Sequence, residues 1–232
     1  MLKTIFFDLD DTLLDFAKTE TEALSQALRE SGVEPTAALL ERYHVINARQ
    51  WELLEEGVLT REQVLLRRFE LLFEEYGVDG DPGEVCRRYE TGLARGRWII
   101  PGARELLETL MPRYDLYLVS NGTASVQHSR LESTGFHRYF RALFISQEVG
   151  YDKPRREFFD RCFAAIPGFC REEAIIVGDS LTSDIRGGIN AGIRTCWYNP
   201  HGKAARPDIQ PDFQFSRLEQ LPALLEEIGK AP

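Results

Sequence analysis

Thr4-Ile5-Phe6-Phe7 runs directly into Asp8-Leu9-Asp10-Asp11-Thr12-Leu13, so an apolar stretch ends in three carboxylates. A run with apolar residues on both faces reads as a strand buried on both sides, as inside a parallel sheet. If the chain stays extended, Asp8 and Asp10 project to one side while Leu9 and Asp11 project elsewhere. The Cα atoms of that pair would then sit about 6.6 Å apart, given the usual strand rise. Carboxylates held so close repel each other, and a cation between them relieves the repulsion. An oxygen-only site suits a hard divalent ion that keeps several waters, which favours magnesium. Asp is also common in turns, so this stretch alone fits an ordinary strand-closing turn equally well.

Three further groups shift that balance. Ser120-Asn121-Gly122 sets a hydroxyl and consecutive backbone N–H groups ahead of an expected helix, which makes an anion cradle. Lys153-Pro154 places a cation at another expected helix start, although a lone lysine there is ordinarily a solvated surface residue. Gly178-Asp179-Ser180-Leu181-Thr182-Ser183-Asp184 puts two more acids around a tight turn. Together they offer acids for a metal, and a hydroxyl and a lysine for a phosphate.

The elements that must position these groups alternate. Strands are expected over residues 4–7, 116–120, 142–146, 174–179 and 195–199, the last clear one. Helices are expected between them, over residues 102–111, 125–134, 154–166 and 184–191, and a terminal one over 218–228. Each strand ends in a polar residue: Asp8, Ser120, Ser146, Asp179 or Asn199. Parallel sheets bind ligands beyond the carboxyl ends of their strands. Residues 16–98 read as helices only, with Thr60-Arg61-Glu62-Gln63 as a capping box and Pro82 at a first helical position. The expected fold is therefore α/β: a doubly wound, Rossmann-like parallel sheet in an α/β/α sandwich, with an inserted all-helical cap. Residues 1–15 and 99–232 would form the catalytic core, and residues 16–98 the cap. Residues 201–211 read as a loop.

Composition narrows the partners. Lys plus Arg number 28 against 37 Asp plus Glu, a formal charge of −9, and no basic stripe is present to attract a nucleic-acid backbone. No run approaches the length of a membrane span. The first residues enter a strand at once, with no apolar segment of a secretory signal, and the four cysteines make no C-x-x-C pair. A cytoplasmic enzyme with reduced thiols is expected, acting on a small molecule.

Asp8-x-Asp10-x-Thr12, Ser120, Lys153, and Gly178-Asp179 with Asp184 match, in order, the four motifs of the haloacid dehalogenase superfamily. The chain resembles that family over nearly its whole length. The resemblance implies hydrolysis of a phosphate ester by covalent catalysis. Asp8 would attack phosphorus, and Asp10 would protonate the leaving oxygen and then activate water. Mg²⁺ would be held by Asp8, the main-chain carbonyl of Asp10, and Asp179. Ser120 and Lys153 would bind phosphoryl oxygens with Asn121 beside them. Asp184 would orient Lys153 or a metal-bound water, and Thr12 would support the turn after the acids.

A finer resemblance lies in Asn47-Ala48-Arg49-Gln50-Trp51, Gly57-Val58-Leu59-Thr60, Ile145-Ser146-Gln147-Glu148-Val149-Gly150 and Gly187-Gly188-Ile189-Asn190-Ala191-Gly192. These are similar to the pyrimidine nucleoside 5′-monophosphate phosphatases, including those that clear non-canonical pyrimidine nucleotides. The implied substrates are dUMP, dTMP, UMP and analogues, with Asn47 and Arg49 hydrogen-bonding the base and Trp51 stacking on it. Tyr151-Asp152 before Lys153 departs from the pattern and adds a carboxylate nearby. A phosphatase of phosphoglycolate or a sugar phosphate, or a sugar phosphomutase of the same fold, stays open. A dehalogenase needs no acid at position 10, and a phosphate-accepting receiver domain lacks a large helical insertion.

Overall fold

A computed structural model describes residues 1–230, and within it the chain separates into two compact units. One comprises Met1–Asp15 together with the chain from Ile99 onward, and the other is Phe16–Trp98. In chain order the elements are β1 (Thr4–Phe7), then α1 (Phe16–Glu30), α2 (Ala37–Glu55), α3 (Arg61–Tyr76) and α4 (Pro82–Leu93). They continue with α5 (Ala103–Leu110), β2 (Asp115–Ser120), α6 (Ala124–Thr134), β3 (Ala142–Ile145), α7 (Ser146–Val149) and α8 (Arg156–Ala164). Last come β4 (Ala174–Gly178), α9 (Arg186–Ala191), β5 (Arg194–Tyr198), β6 (Phe213–Phe215) and α10 (Leu221–Lys230).

The six strands form one parallel sheet in the order β3-β2-β1-β4-β5-β6. β1 is central, and its continuous apolar run is explained by burial on both faces. Ile5 and Phe7 join Leu118, Ile175 and Val177 in a core with α5 and α10. Phe6 points the other way, into a second core with Val119, Ile176 and the α8 residues Phe158 and Phe159. Burying a side chain of this size stabilises by roughly 1.5–3 kcal/mol, so the central strands are held from both sides. The chain crosses from β3 back over β1 to reach β4, which makes the β1–β4 boundary the switch point of the sheet.

Three local features differ from the sequence expectation. The strand over 195–199 is not the last: β6 adds a sixth, pairing parallel to β5 with Cys196 opposite Phe213. Its three residues follow a proline-rich loop and are too short to show a periodicity. Ser146 leaves the strand and starts the one-turn helix α7. The segment expected as a helix from Asp184 instead begins as a π-helical turn, Leu181–Ile185, with the Ser180 hydroxyl accepting from the Ser183 N–H.

The helical unit pairs α1 with α4, α2 with α3, and α3 with α4. Thr60 and Gln63 form the anticipated capping box on α3, and Asp81 caps α4 with Pro82 in its first turn. Tyr43, Phe69 and Tyr89 pack as an aromatic trio with centroids 5.1–5.5 Å apart. Among the described residues no helix is long and apolar enough to cross a membrane.

Candidate active site

Each strand end at the switch point delivers one group. The Asp8 N–H donates to the Val177 carbonyl at 2.9 Å, extending β1–β4 pairing by one rung and fixing where the Asp8 carboxylate emerges. The chain then turns sharply, with the Leu13 and Leu14 N–H groups both donating to the Leu9 carbonyl. Asp11 takes a φ of 56°, a left-handed conformation that aspartate tolerates better than most residues. Thr12 is fully buried, and its hydroxyl accepts from the Asp179 N–H at 3.1 Å. That bond ties the turn after β1 to the end of β4. The Trp197 indole N–H donates to the Asp179 carbonyl at 2.8 Å and holds the same segment from β5.

Lys153 is the centre of the arrangement. Its ammonium, 1% exposed, donates to Asp8 at 2.6 Å, to Asp184 at 2.7 Å and to the Val119 carbonyl at 3.0 Å, which uses all three of its donors. Asp184 is as deeply buried and also accepts from the Ser180 N–H. Gly178 has to be glycine, because a Cβ there would overlap the Asp184 carboxylate. Burial pulls the Lys153 ammonium down, but Asp184 and Asp8 outweigh it and hold it above its usual range. Burial pushes the Asp8 carboxyl well up; Lys153 opposes this, while Asp184, Asp10 and Asp179 add to it. Asp179 is pushed up to about 7 by burial first, then by Asp184 and Asp11.

Asp8, Asp179 and Asp184 each offer a carboxylate oxygen within 4.8 Å of the others, an all-oxygen donor set that fits a hard divalent cation. Asp184 therefore belongs with the acids as well as with Lys153.

The Asp10 side chain lies elsewhere. Its carboxylate accepts from Gln127 Nε2 at 2.6 Å and from the Arg130 guanidinium, both on α6. Asp8 thus has Lys153 as its side-chain cation, and Asp10 has Arg130. Gln127 and Arg130 were not foreseen. Their signal was present, since both fall on the inward stripe of α6 with Val126, Leu131 and Thr134. Polar side chains on a buried stripe need partners, which marks them as more than core.

Ser120 is buried, and its hydroxyl meets Gln127 Nε2 at 2.7 Å and the Gly122 N–H at 3.1 Å. The Asn121 amide donates to the Lys153 carbonyl and accepts from the Lys153 N–H, both at 2.8 Å, so its side chain holds the lysine's backbone beside Ser120. Lys203, in the loop after β5, has its ammonium 3.5 Å from Asp179. Asn199 fixes its backbone by donating to the Lys203 carbonyl and accepting from the Lys203 N–H. Tyr151 lies against Arg155 and Arg161, with ring-to-cation distances of 5.1 and 5.9 Å, so this departure from the motif serves packing.

The three residues expected to read a base are not brought together. Positions 47 and 49 lie on different faces of one helix. Asn47 is buried, donating to Glu20 at 2.6 Å and accepting from Arg68 at 3.0 Å, so both ends of its amide are engaged inside the helical unit. Arg49 is exposed and pairs with Glu52 and Glu56. Trp51 is half-buried, with Arg61 5.5 Å from its ring centre. Of the aromatic residues, Tyr43 is core, and Trp98 donates to Glu22 at 2.7 Å.

Residues 5–198 match the family model described as haloacid dehalogenase-like hydrolase. The chain is 39% identical to the HAD-hydrolase YfnB of Bacillus subtilis (strain 168) over 94% of this chain and 93% of the relative. It is 38% identical to the pyrimidine 5′-nucleotidase PynA of Streptococcus pneumoniae, with the same coverage. The pyrimidine 5′-nucleotidase YjjG of Escherichia coli (strain K12) is 34% identical over 95% of this chain and 96% of the relative. A crystal structure of YfnB bound to magnesium superposes with a TM-score of 0.93 over 97% of this chain and 98% of that one.

Proposed function

The chain belongs to the haloacid dehalogenase-like hydrolase family, and from that premise we propose that it is a magnesium-dependent phosphatase of pyrimidine nucleoside 5′-monophosphates. The observation that carries the chemistry is the Asp8 carboxylate, held at the switch point by Lys153 beside Asp179 and Asp184. The substrate class rests on the two relatives named as pyrimidine 5′-nucleotidases, each alike along almost its whole length.

In the proposed reaction an Asp8 oxygen bonds to phosphorus as the bond from phosphorus to the ester oxygen breaks. The Asp10 carboxyl gives its proton to that leaving oxygen. A water oxygen then bonds to phosphorus, its proton passes to Asp10, and the bond to Asp8 breaks. Both carboxyl groups return to their starting state. Lys153 and the Ser120 hydroxyl neutralise phosphoryl oxygens, and Asn121 keeps the lysine in place. Asp8, Asp179 and Asp184, with the Asp10 carbonyl, would hold Mg²⁺. When bound, the ion supplies the positive charge that lets a carboxylate approach a phosphate.

The test is a substrate panel read as kcat/KM with and without metal. Activity is expected to vanish on chelation and return with Mg²⁺, with dUMP, dTMP and UMP preferred over purine nucleotides, phosphoglycolate and sugar phosphates. Labelled phosphate is expected in water as inorganic phosphate; its return to a sugar would mean a phosphomutase. Undiminished turnover in the chelator would remove the metal from the account, and a purine or sugar-phosphate preference would remove the substrate class.

A further inference from the structure

We propose that Gln127 and Arg130 are positioning residues that set the direction of the Asp10 carboxyl group and link it to Ser120, an inference that rests on Asp10 moving the proton. The geometry is a closed set of bonds from one helix. Gln127 Nε2 donates to Asp10 Oδ2 at 2.6 Å and to the Ser120 hydroxyl at 2.7 Å, while its Oε1 accepts from Arg130 at 3.0 Å. Arg130 donates also to Asp10 Oδ1. Both oxygens of Asp10 are thereby fixed, and the plane of the carboxyl group with them.

The orientation of the Gln127 amide is dictated by its neighbours. Reversed, it would turn its oxygen toward the Asp10 carboxylate and its N–H₂ toward a guanidinium, losing its bonds to both. Burial strengthens the set: the Gln127 residue and the Arg130 side chain are each about 1% exposed, so water does not compete for these donors. The backbone makes room for it as well. A Cβ on Gly122 would overlap the Gln127 amide, so a glycine at this place in the anion loop is required by the glutamine beside it.

Burying a guanidinium is costly, and a cation held against a carboxylate of the site is better explained by the reaction than by stability alone. The proton must leave Asp10 toward the ester oxygen in the first step and come back from water in the second. A carboxyl group free to rotate would meet both geometries only part of the time. The link through Gln127 means that the hydroxyl binding the phosphoryl group and the carboxyl group serving its ester oxygen are held as one piece.

The leaving group separates positioning from structural damage. p-Nitrophenolate departs without a proton, whereas the 5′-oxygen of a nucleoside needs one. In Arg130→Met, kcat on UMP is expected to fall about a hundredfold with KM within about threefold of the parent. On p-nitrophenyl phosphate, rapid mixing is expected to show a burst of nitrophenolate near one equivalent per enzyme, then slow turnover, because only the second step still needs Asp10. Arg130→Lys is expected to recover part of the UMP rate. Gln127→Leu is expected to show the same burst, with KM raised on both substrates because Ser120 is released too. Equal losses on both substrates with no burst, in variants with native circular dichroism, would overturn the proposal, as would unchanged rates. The parent and Asp8→Asn proteins are run alongside. No phosphatase turnover in the parent refutes the underlying phosphatase reading, and full turnover in Asp8→Asn refutes Asp8 as the nucleophile, outcomes distinct from missing bursts in a working enzyme.

Discussion

In the α/β unit Asp8, Asp179 and Asp184 crowd within 4.8 Å of one another around one lysine, whereas in the helical unit Glu20 and Glu90 are linked through Asn47 and Arg68. Both places bury charge. In the helical unit α1, α2, α3 and α4 each supply a member: Glu20, Asn47, Arg68 and Glu90. Cation and amide stand between the acids, and the bonds cross from helix to helix. Such a network specifies how helices pack. In the α/β unit the acids come from a strand end and a tight turn, and Lys153 pairs with Asp8 and Asp184 while Asp179 lies beside them. Burial first, and the neighbouring acids after it, raise Asp8 and Asp179 above the ordinary carboxylate range. The helical unit thus keeps its buried acids apart with an amide and a cation, whereas the α/β unit holds three acids beside one lysine.

The comparison is broken most severely by Asp8→Asn. An amide is not a nucleophile toward phosphorus, so turnover is expected to fall at least about ten-thousand-fold. Because the substitution removes one of several repelling acids, circular dichroism and the thermal midpoint are expected to stay near native. Substantial remaining activity in a folded variant would show that Asp8 is not the reactive group.

Arg68→Met is the reciprocal experiment. It leaves Glu90 and Asn47 without their cation inside the helical unit, and urea unfolding is expected to show a loss of about 3–5 kcal/mol. Under conditions where the variant is folded, kcat on p-nitrophenyl phosphate is expected to remain within about threefold of the parent. A stable Arg68→Met protein with lost chemistry would reverse the roles assigned to the two networks.

Much of this architecture was legible because burial leaves a strong mark on sequence. The fully apolar runs at β1 and β4, each followed by an acid, announced a parallel sheet and its reactive edge. β6 was not legible, since Phe213-Gln214-Phe215 gives no period to read and its pairing partner is set by tertiary structure. Lys153 was legible through its motif, while the partners of Asp10 were not, because a glutamine and an arginine on a helix ordinarily face solvent. Only their register with Val126 and Leu131 distinguishes them. Asn47 and Arg49 were misread for a related reason. Their chemistry suits a pyrimidine, but residues two apart on a helix do not share a face, and Asn47 falls on the buried one.

The smallest effect concerns Trp51, the member of that trio whose side chain is neither locked in the buried network nor fully exposed. If it stacks on a base, Trp51→Ala is expected to cost about tenfold in kcat/KM on UMP and to leave p-nitrophenyl phosphate little changed. Equal losses on both substrates would assign Trp51 to the packing of the helical unit, alongside Tyr43.

In the proposed reaction Asp8 forms a covalent bond with phosphorus. The most direct measurement is rapid quenching of Asp10→Asn with ³²P-labelled UMP and Mg²⁺, followed by peptide mapping of the labelled protein. Loss of Asp10 is expected to slow formation of the intermediate from UMP as well as its hydrolysis, whereas p-nitrophenolate leaves without a proton and keeps formation fast, so p-nitrophenyl [³²P]phosphate is run in parallel. Label is predicted on the peptide containing Asp8, stable in acid and released by hydroxylamine, as an acyl phosphate is. Label on another residue, or release of phosphate from the first turnover with none on the protein, would contradict the central claim.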